Sequence, residues 1–311
     1  MKKWLFLILF FIPTLTFGQQ VSQYSQWSYN QFSINPALAG IKRCLEVKLG
    51  ARAQWAGFDD APVSGMLTIN APLIKNKKKF KDFFHGIGGK IERDQFGPFN
   101  NFSMSLAYAI HIPLGKTETN HRLSFGVGAG IQQFGFDQTK TTTIDPDPSV
   151  SQSANNLLFP LITFGGWYYS DLFYLGAAVD QLAMNNWKDV GYASRFRLHT
   201  KIQAGTRIGL PKENSLLPGI LFRIPPAGPM SFDVNLMFDY QNIFSVGLGY
   251  RNRDAVIGLF KVNIRQFTIG YSFDFITSSI RGGNFHTHEI SIQFSGCRKG
   301  KPTRSACPLF E

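Results

Sequence analysis

"FSMSLAYAIHI", residues 102–112, alternates along its whole length. Phe102, Met104, Leu106, Tyr108, Ile110 and Ile112 fall on one side of an extended chain; Ser103, Ser105, Ala107, Ala109 and His111 fall on the other. Successive side chains of a strand point to opposite faces, so the stretch reads as a strand with one apolar face. The same period of two runs through "LSFGVGAGI", 123–131, and "FTIGYSFDF", 267–275. A soluble sandwich also alternates. Here, however, large apolar residues recur on one face of nearly every strand, and the opposite face is small or charged. That second face carries Lys48, Arg52, Lys90, Glu92, Lys201, Arg207, Asp233 and Asp239. A charged interior under a skin of Phe, Leu, Ile and Tyr is the pattern of a strand barrel in lipid.

Working outward, such segments recur at 45–55, 64–73, 85–95, 102–113, 121–135, 160–169, 171–181, 197–209, 215–224, 229–240, 242–251, 254–261, 263–275 and 287–295. They predict an all-β, 14-stranded antiparallel transmembrane β-barrel with a short N-terminal periplasmic or lumenal segment. An even count puts both barrel ends on one side. Tight connections near 170–171, 210–214, 241–242 and 261–263 alternate with long ones at 136–159, 182–196 and 276–286. Bacterial barrels keep short turns in the periplasm, so both ends are expected there. The second connection, "LIKNKKKFKDFF", is long although it falls on that side.

The expected organisation is a leader at 1–18, an N-terminal plug or entry segment at 19–44, the barrel at 45–295 and a basic periplasmic tail at 296–311. Lys2 and Lys3, an apolar run from Trp4 to Ile12, and Thr16-Phe17-Gly18 have the form of a cleaved secretion signal. A mean hydropathy of −0.08 over 311 residues with 30 Phe and 30 Gly suits alternating strands. The formal charge is +12, but an exported chain does not meet nucleic acid, which is therefore not an expected partner. Three cysteines allow one internal bridge. Cys297–Cys307 would close the tail; Cys44–Cys297 would join the first strand to the last.

Little in the chain speaks for catalysis. "HTHE", 286–289, offers ligand-type side chains, but at strand spacing His286 and His288 share one face and Glu289 takes the other. No nucleophile elbow or phosphate loop occurs, and His111 and His199 have no nominated nucleophile. The expectation is a non-enzyme without cofactor or metal. Trp55, Trp167, Tyr168, Tyr169 and Trp187 lie near strand ends, where an interfacial aromatic belt is expected. Lys75, Lys77, Lys78, Lys79 and Lys81 form a run read either as a solvated loop or as a docking patch for an acidic partner, on the same side as Arg298 and Lys299. In "FSINPALAG", 32–40, Asn35 can cap a short helix, Pro36 suits its first turn and Gly40 can end it. Trp27, Tyr29 and Phe32 would then pack that segment against the barrel.

Taken together, several stretches resemble the PorP/SprF family of outer-membrane proteins of type IX secretion and gliding motility in Bacteroidota. "QYSQWSYNQFSINPALAG" resembles the family's opening segment, with Asn35, Pro36 and Gly40. "ARAQWAGFDDAPVSGMLTINAPL" resembles its next stretch, with Arg52, Gln54, Trp55 and Pro62. "GIGGKIERDQFG" and "LAYAIHIPL" follow in order. "TIGYSFDF" and "HEISIQF" resemble its closing strands, with Gly270, Tyr271, Asp274, His288 and Glu289. The resemblance implies a non-enzymatic barrel that binds, helps to export or anchors secreted surface proteins, or links the barrel to the periplasmic secretion machinery. The implied partners are outer membrane lipid, periplasmic type IX secretion components, and a secreted adhesin or other client with a type IX signal. The competing expectation is a porin or hydrophobic-compound transporter, distinguished by an open lumen.

Overall fold

The structure is a computed structural model, describing residues 22–42, 44–73, 83–114, 121–137, 140, 156–184, 198–226, 228–278 and 286–296. Its strands are β1 (Glu46–Ala56), β2 (Val63–Pro72), β3 (Phe84–Phe96), β4 (Phe99–Pro113), β5 (Arg122–Phe136), β6 (Asn156–Tyr169), β7 (Phe173–Asp180), β8 (His199–Thr206), β9 (Ile208–Gly209), β10 (Ser215–Ile224), β11 (Ser231–Tyr240), β12 (Phe244–Arg251), β13 (Ala255–Ile264), β14 (Phe267–Ile276) and β15 (His286–Ser295). β8 and β9 are one stave interrupted at Arg207, and both pair with β10. Every stave pairs antiparallel with its sequence neighbour, and β15 pairs back onto β1. The result is a closed 14-stranded antiparallel barrel. Closure satisfies every strand edge, which a sheet surrounded by hydrocarbon requires.

The alternation sets the orientation of each side chain. Leu106 is 71% exposed on the outer surface, whereas its in-strand neighbours in register with the lumen, Ser103 and His111, are 9% and 0% exposed. Phe125, Phe267 and Tyr271 face outward, and Gly270 faces inward. All eight charged residues placed by the sequence on the second face line the lumen or its rim.

Three details differ from the sequence reading. The twelfth segment does not turn at 261–263: β13 continues to Ile264, and the two-residue turn is Arg265-Gln266, because alternation persists to Ile264↔Phe267. Two connections on the side opposite the chain ends are tight, at 97–98 and 252–254, the first turning at Gly97 with φ +53°. Trp167 and Tyr169 are not belt residues. Strand parity turns them inward, where they are 1% and 5% exposed and pack with Ala37, Leu38, Ile41 and Tyr174.

The core therefore sits in the lumen rather than between layers. It is formed by the strand interior and by residues 22–41, which run through the barrel before β1 begins. No helix among the described residues is long and apolar enough to cross a membrane, which says nothing against crossing by strands.

The β1–β15 seam is closed at the rim where both strands' chain ends lie. Gly296 donates its backbone N–H to the Leu45 carbonyl at 2.8 Å, and Cys44 Sγ lies 3.5 Å from Ser295 Oγ. Cys44 is disulfide-bonded. Its partner lies outside the described residues, as do both Cys297 and Cys307. Extending the Glu46↔Ser295 register by two positions is the basis for expecting Cys297 as that partner. Non-reducing peptide mapping is expected to recover Cys44 linked to Cys297. Cys44→Ser should lower stability by about 2–4 kcal/mol, read from the temperature at which the folded band disappears on gels. Recovery of a Cys297–Cys307 peptide instead would contradict the seam bridge.

Candidate functional site

The plug is built from three 3-10 turns, Trp27–Tyr29, Gln31–Ser33 and Pro36–Leu38. The last follows the expected chemistry. Asn35 is extended at the N-cap, Pro36 occupies the first position, and Asn35 Oδ1 accepts from the Ala37 N–H at 2.9 Å. The same amide donates from Nδ2 to the carbonyls of Gly166 (3.1 Å) and Ala177 (3.0 Å) on β6 and β7. One side chain thus caps the turn and fastens it to the wall. Gly40 ends the segment with φ +73°, a conformation that favours glycine, and packs on Gly86 and Ala71 of the wall. At Gly126 a Cβ would overlap the backbone of Pro36 and Ala37, so the wall is glycine where the plug lies flat against it.

Further fastenings go round the lumen. His111 Nε2 meets the Ala39 carbonyl at 2.8 Å, Ser124 Oγ donates to the Ala37 carbonyl at 2.5 Å, and Lys90 Nζ donates to the Ser33 carbonyl at 3.3 Å. Tyr29 Oη contacts Met237 Sδ at 3.2 Å, and Trp27 is fully buried. Burial, with Asp239 nearby, holds the Tyr29 phenol well above its usual range, so it stays neutral. Trp27 and Phe32 pack against the wall as the sequence predicted.

The densest chemistry surrounds Ser25. Its backbone N–H donates to Glu289 Oε2 at 2.7 Å and its hydroxyl to Asp274 Oδ2 at 2.6 Å. The same hydroxyl accepts from Arg52 Nη1 (2.7 Å) and Arg251 Nη2 (3.0 Å). Gln26 donates from its backbone to Glu289 Oε1 at 3.2 Å and from its side chain to the Glu289 carbonyl at 3.1 Å. Arg52 pairs with Asp274 at 2.9 Å and with Glu289 at 3.3 Å; Arg251 pairs with Asp233 at 3.2 Å and with Asp274 at 3.4 Å; Arg223 pairs with Asp233 at 2.9 Å. Three guanidinium groups face three carboxylates, each carboxylate with less than 3% side-chain exposure. At its edge Arg251 also pairs with the partly exposed Asp254 at 3.2 Å. Opposite charges thus meet throughout the cluster, the condition under which buried ions are tolerated, although Arg52 Nε and Asp274 Oδ1 make no hydrogen bond among the described residues.

Sequence reading named Arg52, Asp274 and Glu289 separately, and the barrel brings them together. Gly270 lies beneath Gln26, in the same part of the lumen. Gln54 accepts a different duty: its N–H bonds the Pro62 carbonyl at 2.9 Å and closes the first hairpin. Trp55 turns the chain with φ +53°, and its N–H donates to Thr287 Oγ1 at 3.1 Å across the seam. Tyr271 and His288 stand outside the cluster, on the outer face, hydrogen-bonded to one another at 2.8 Å. Ser25, Gln26, Arg223 and Arg251 were not singled out from the sequence. Their roles follow from long-range strand register, which no local motif encodes. Among the described residues no group of three or more His, Cys, Asp or Glu is placed to hold a metal ion. Lys75, Lys77, Lys78, Lys79, Lys81, Arg298 and Lys299 lie outside the described residues.

Among the described residues the two larger cavities lie on either side of the plug. The cavity by the rim of the chain ends measures about 110 Å³; the other, lined by Phe96, Phe99, Phe134 and Lys201, measures about 370 Å³. A closed strand cylinder with an apolar skin, a charged lumen and its own N-terminal segment as a stopper defines an outer-membrane β-barrel. The chain belongs to the PorP/SprF family of type IX secretion system membrane proteins, whose profile matches residues 16–294. Among solved structures it is similar to the outer membrane protein Omp33 of Acinetobacter baumannii, with 8% identity, 82% of this chain and 99% of that chain covered, and a TM-score of 0.45. It is also similar to the Rhodopseudomonas blastica porin, with 10% identity, 81% and 98% coverage and a TM-score of 0.33. The ferric enterobactin receptor of Pseudomonas aeruginosa has 10% identity and a TM-score of 0.35; 76% of this chain is covered, and it spans 44% of that receptor. No curated protein matches the chain.

Removing Arg52 strands two buried carboxylates. Arg52→Met is expected to lower stability by about 3–5 kcal/mol, measured as an earlier loss of the heat-resistant folded band. Tyr271→Phe, on the outer face, should leave that transition nearly unchanged.

Proposed function

We propose that this protein is a non-conducting outer-membrane subunit of type IX secretion that binds and anchors secreted surface proteins or links the barrel to the periplasmic machinery. Residues 1–18 serve as its export leader. The observation that carries the reading is the filled lumen. Residues 22–41 are tied to opposite walls through Asn35 on β6 and β7 and through Ser25 on β1, β12, β14 and β15. A barrel stoppered this firmly acts through its rims rather than by passing solute. The non-enzymatic role follows the family, and the client is a polypeptide carrying a type IX signal.

A porin or hydrophobic-compound transporter requires a path through the lumen. Planar-bilayer recording separates the two. The intact protein should show no sustained channel currents, and deletion of residues 22–40 should produce them in whatever fraction still folds. Steady porin-like conductance by the intact protein would return the transporter reading.

The lysine run 75–81 and the basic residues Arg298 and Lys299 are the proposed periplasmic docking elements, since strand parity sends both segments to the same side. Their expected counterpart is an acidic surface of a secretion component or client, with an attraction screened over about 8–10 Å at physiological salt. Reversing Lys77, Lys78 and Lys79 to Glu should reduce recovery of partners from native membranes while leaving the heat-resistant band intact. Undiminished recovery and surface display would mark the run as a solvated loop.

A further inference from the structure

The cavity at the rim of the chain ends has an uneven charge. Lys42 pairs with Glu46 at 3.0 Å, and Glu46 also accepts from Asn70 at 3.3 Å. Arg207 lies 3.8 Å from Asp239, which further accepts from Ser245 at 2.6 Å and from the Asn242 N–H at 3.0 Å. Those acids are engaged. Lys48 and Lys261, which also line the cavity, are 3% and 9% exposed, and neither has a salt bridge to an acidic side chain among the described residues. Lys48 donates to the Tyr29 carbonyl at 2.9 Å. Lys261 has no hydrogen-bond partner among the described residues; its Nζ lies 5.0 Å from the centre of the Tyr29 ring, which Lys48 also overhangs at 5.9 Å. Glu46 and Asp239 are the acids nearest in effect to Lys48 and Lys261, but each is paired elsewhere and neither forms a direct ion pair with these lysines among the described residues; an anion entering the cavity would supply that contact.

The rest of the lining restricts that anion. Leu38, Ile41, Leu217 and Met237 form an apolar wall beside the two lysines. A volume of about 110 Å³ admits a short side chain rather than a folded element. We propose that this cavity is a receptor for a Glu or Asp carboxylate presented next to an apolar side chain by a polypeptide on the periplasmic side. The inference deepens the docking role proposed above and rests on it: the lysine run would attract an acidic partner, and the cavity would seat one of its side chains. Both ammonium groups lie within 6 Å of the centre of the Tyr29 ring, at 5.9 and 5.0 Å, and Gln293 lines the same cavity as a neutral donor.

The test uses the full chain in lipid nanodiscs and the fluorescent peptide acetyl-Leu-Glu-Leu-Gly-amide, with its Leu-Gln-Leu counterpart as control. Fluorescence polarisation should show the Glu peptide binding at least tenfold more tightly than the Gln peptide, and binding should weaken as salt rises. Replacing both lysines, K48M/K261M, should abolish that difference. If the double variant does not fold, K261M alone and the Glu–Gln comparison on the unaltered protein still decide the matter. Equal binding of the two peptides, no binding of either, or an unchanged preference in a folded K261M protein would overturn the proposal. So would inorganic phosphate displacing the Glu peptide at equal concentration, because the cavity would then take any oxyanion. Partner recovery from native membranes is read separately, so loss of the cavity site and failure of the docking role give different results.

Discussion

Arg52 is the side chain on which the closed form depends. It rises from the first strand and binds Asp274 and Glu289 on the last two, so its ion pairs cross the one junction that covalent sequence does not enforce. Glu289 is its register partner across that junction. Ser25 of the plug lies at the same point and takes a hydrogen bond from Arg52. Strand pairing, lumen charge and plug placement are thus one network. Asp274 and Glu289 are buried, so their alternative partners are few, which gives each bond more weight than it would have on a surface. Cys44 lies beside Ser295 at the opposite end of the same junction.

The barrel itself was legible because its signal is local. A period of two can be read from any ten residues, and the strict segregation of Leu106, Phe125 and Tyr271 from Ser103, Ser124 and Gly270 repeats around the whole circumference. The misplaced turn at 261–263 shows the limit of that signal. Lys261 and Asn263 resemble turn residues by type, yet both lie in a strand whose inward face tolerates charge. Trp167 and Tyr169 were assigned outward by analogy with membrane belts. Parity alone would have turned them inward, where Ala37, Leu38 and Ile41 of the plug give them something to pack on.

The site was legible in pieces. Asn35-Pro36 announced a capped turn, and the structure adds its second duty at β6 and β7. Arg52, Asp274 and Glu289 stood out as family-type residues, but their meeting depends on β1 closing against β15 over a separation of more than two hundred residues. Ser25 carried no signal at all: a serine in a polar stretch becomes a hub only because four strands converge on it. Lys261 was likewise invisible, since its lack of a direct ion pair among the described residues is a property of three-dimensional arrangement.

The path of the plug has a mechanical consequence. Ser22 borders the larger cavity, beside Phe96 and Phe99, whereas Ile41 lies by the smaller one next to the first strand. The segment therefore borders both ends of the lumen, with residues 28–31 and Ile41 at the smaller cavity and Ser33, Ile34 and Pro36 at the larger. Its bonds reach strands on opposite sides of the wall, so the stopper also acts as a cross-brace: a force that distorts one side of the cylinder is carried through the segment to the other.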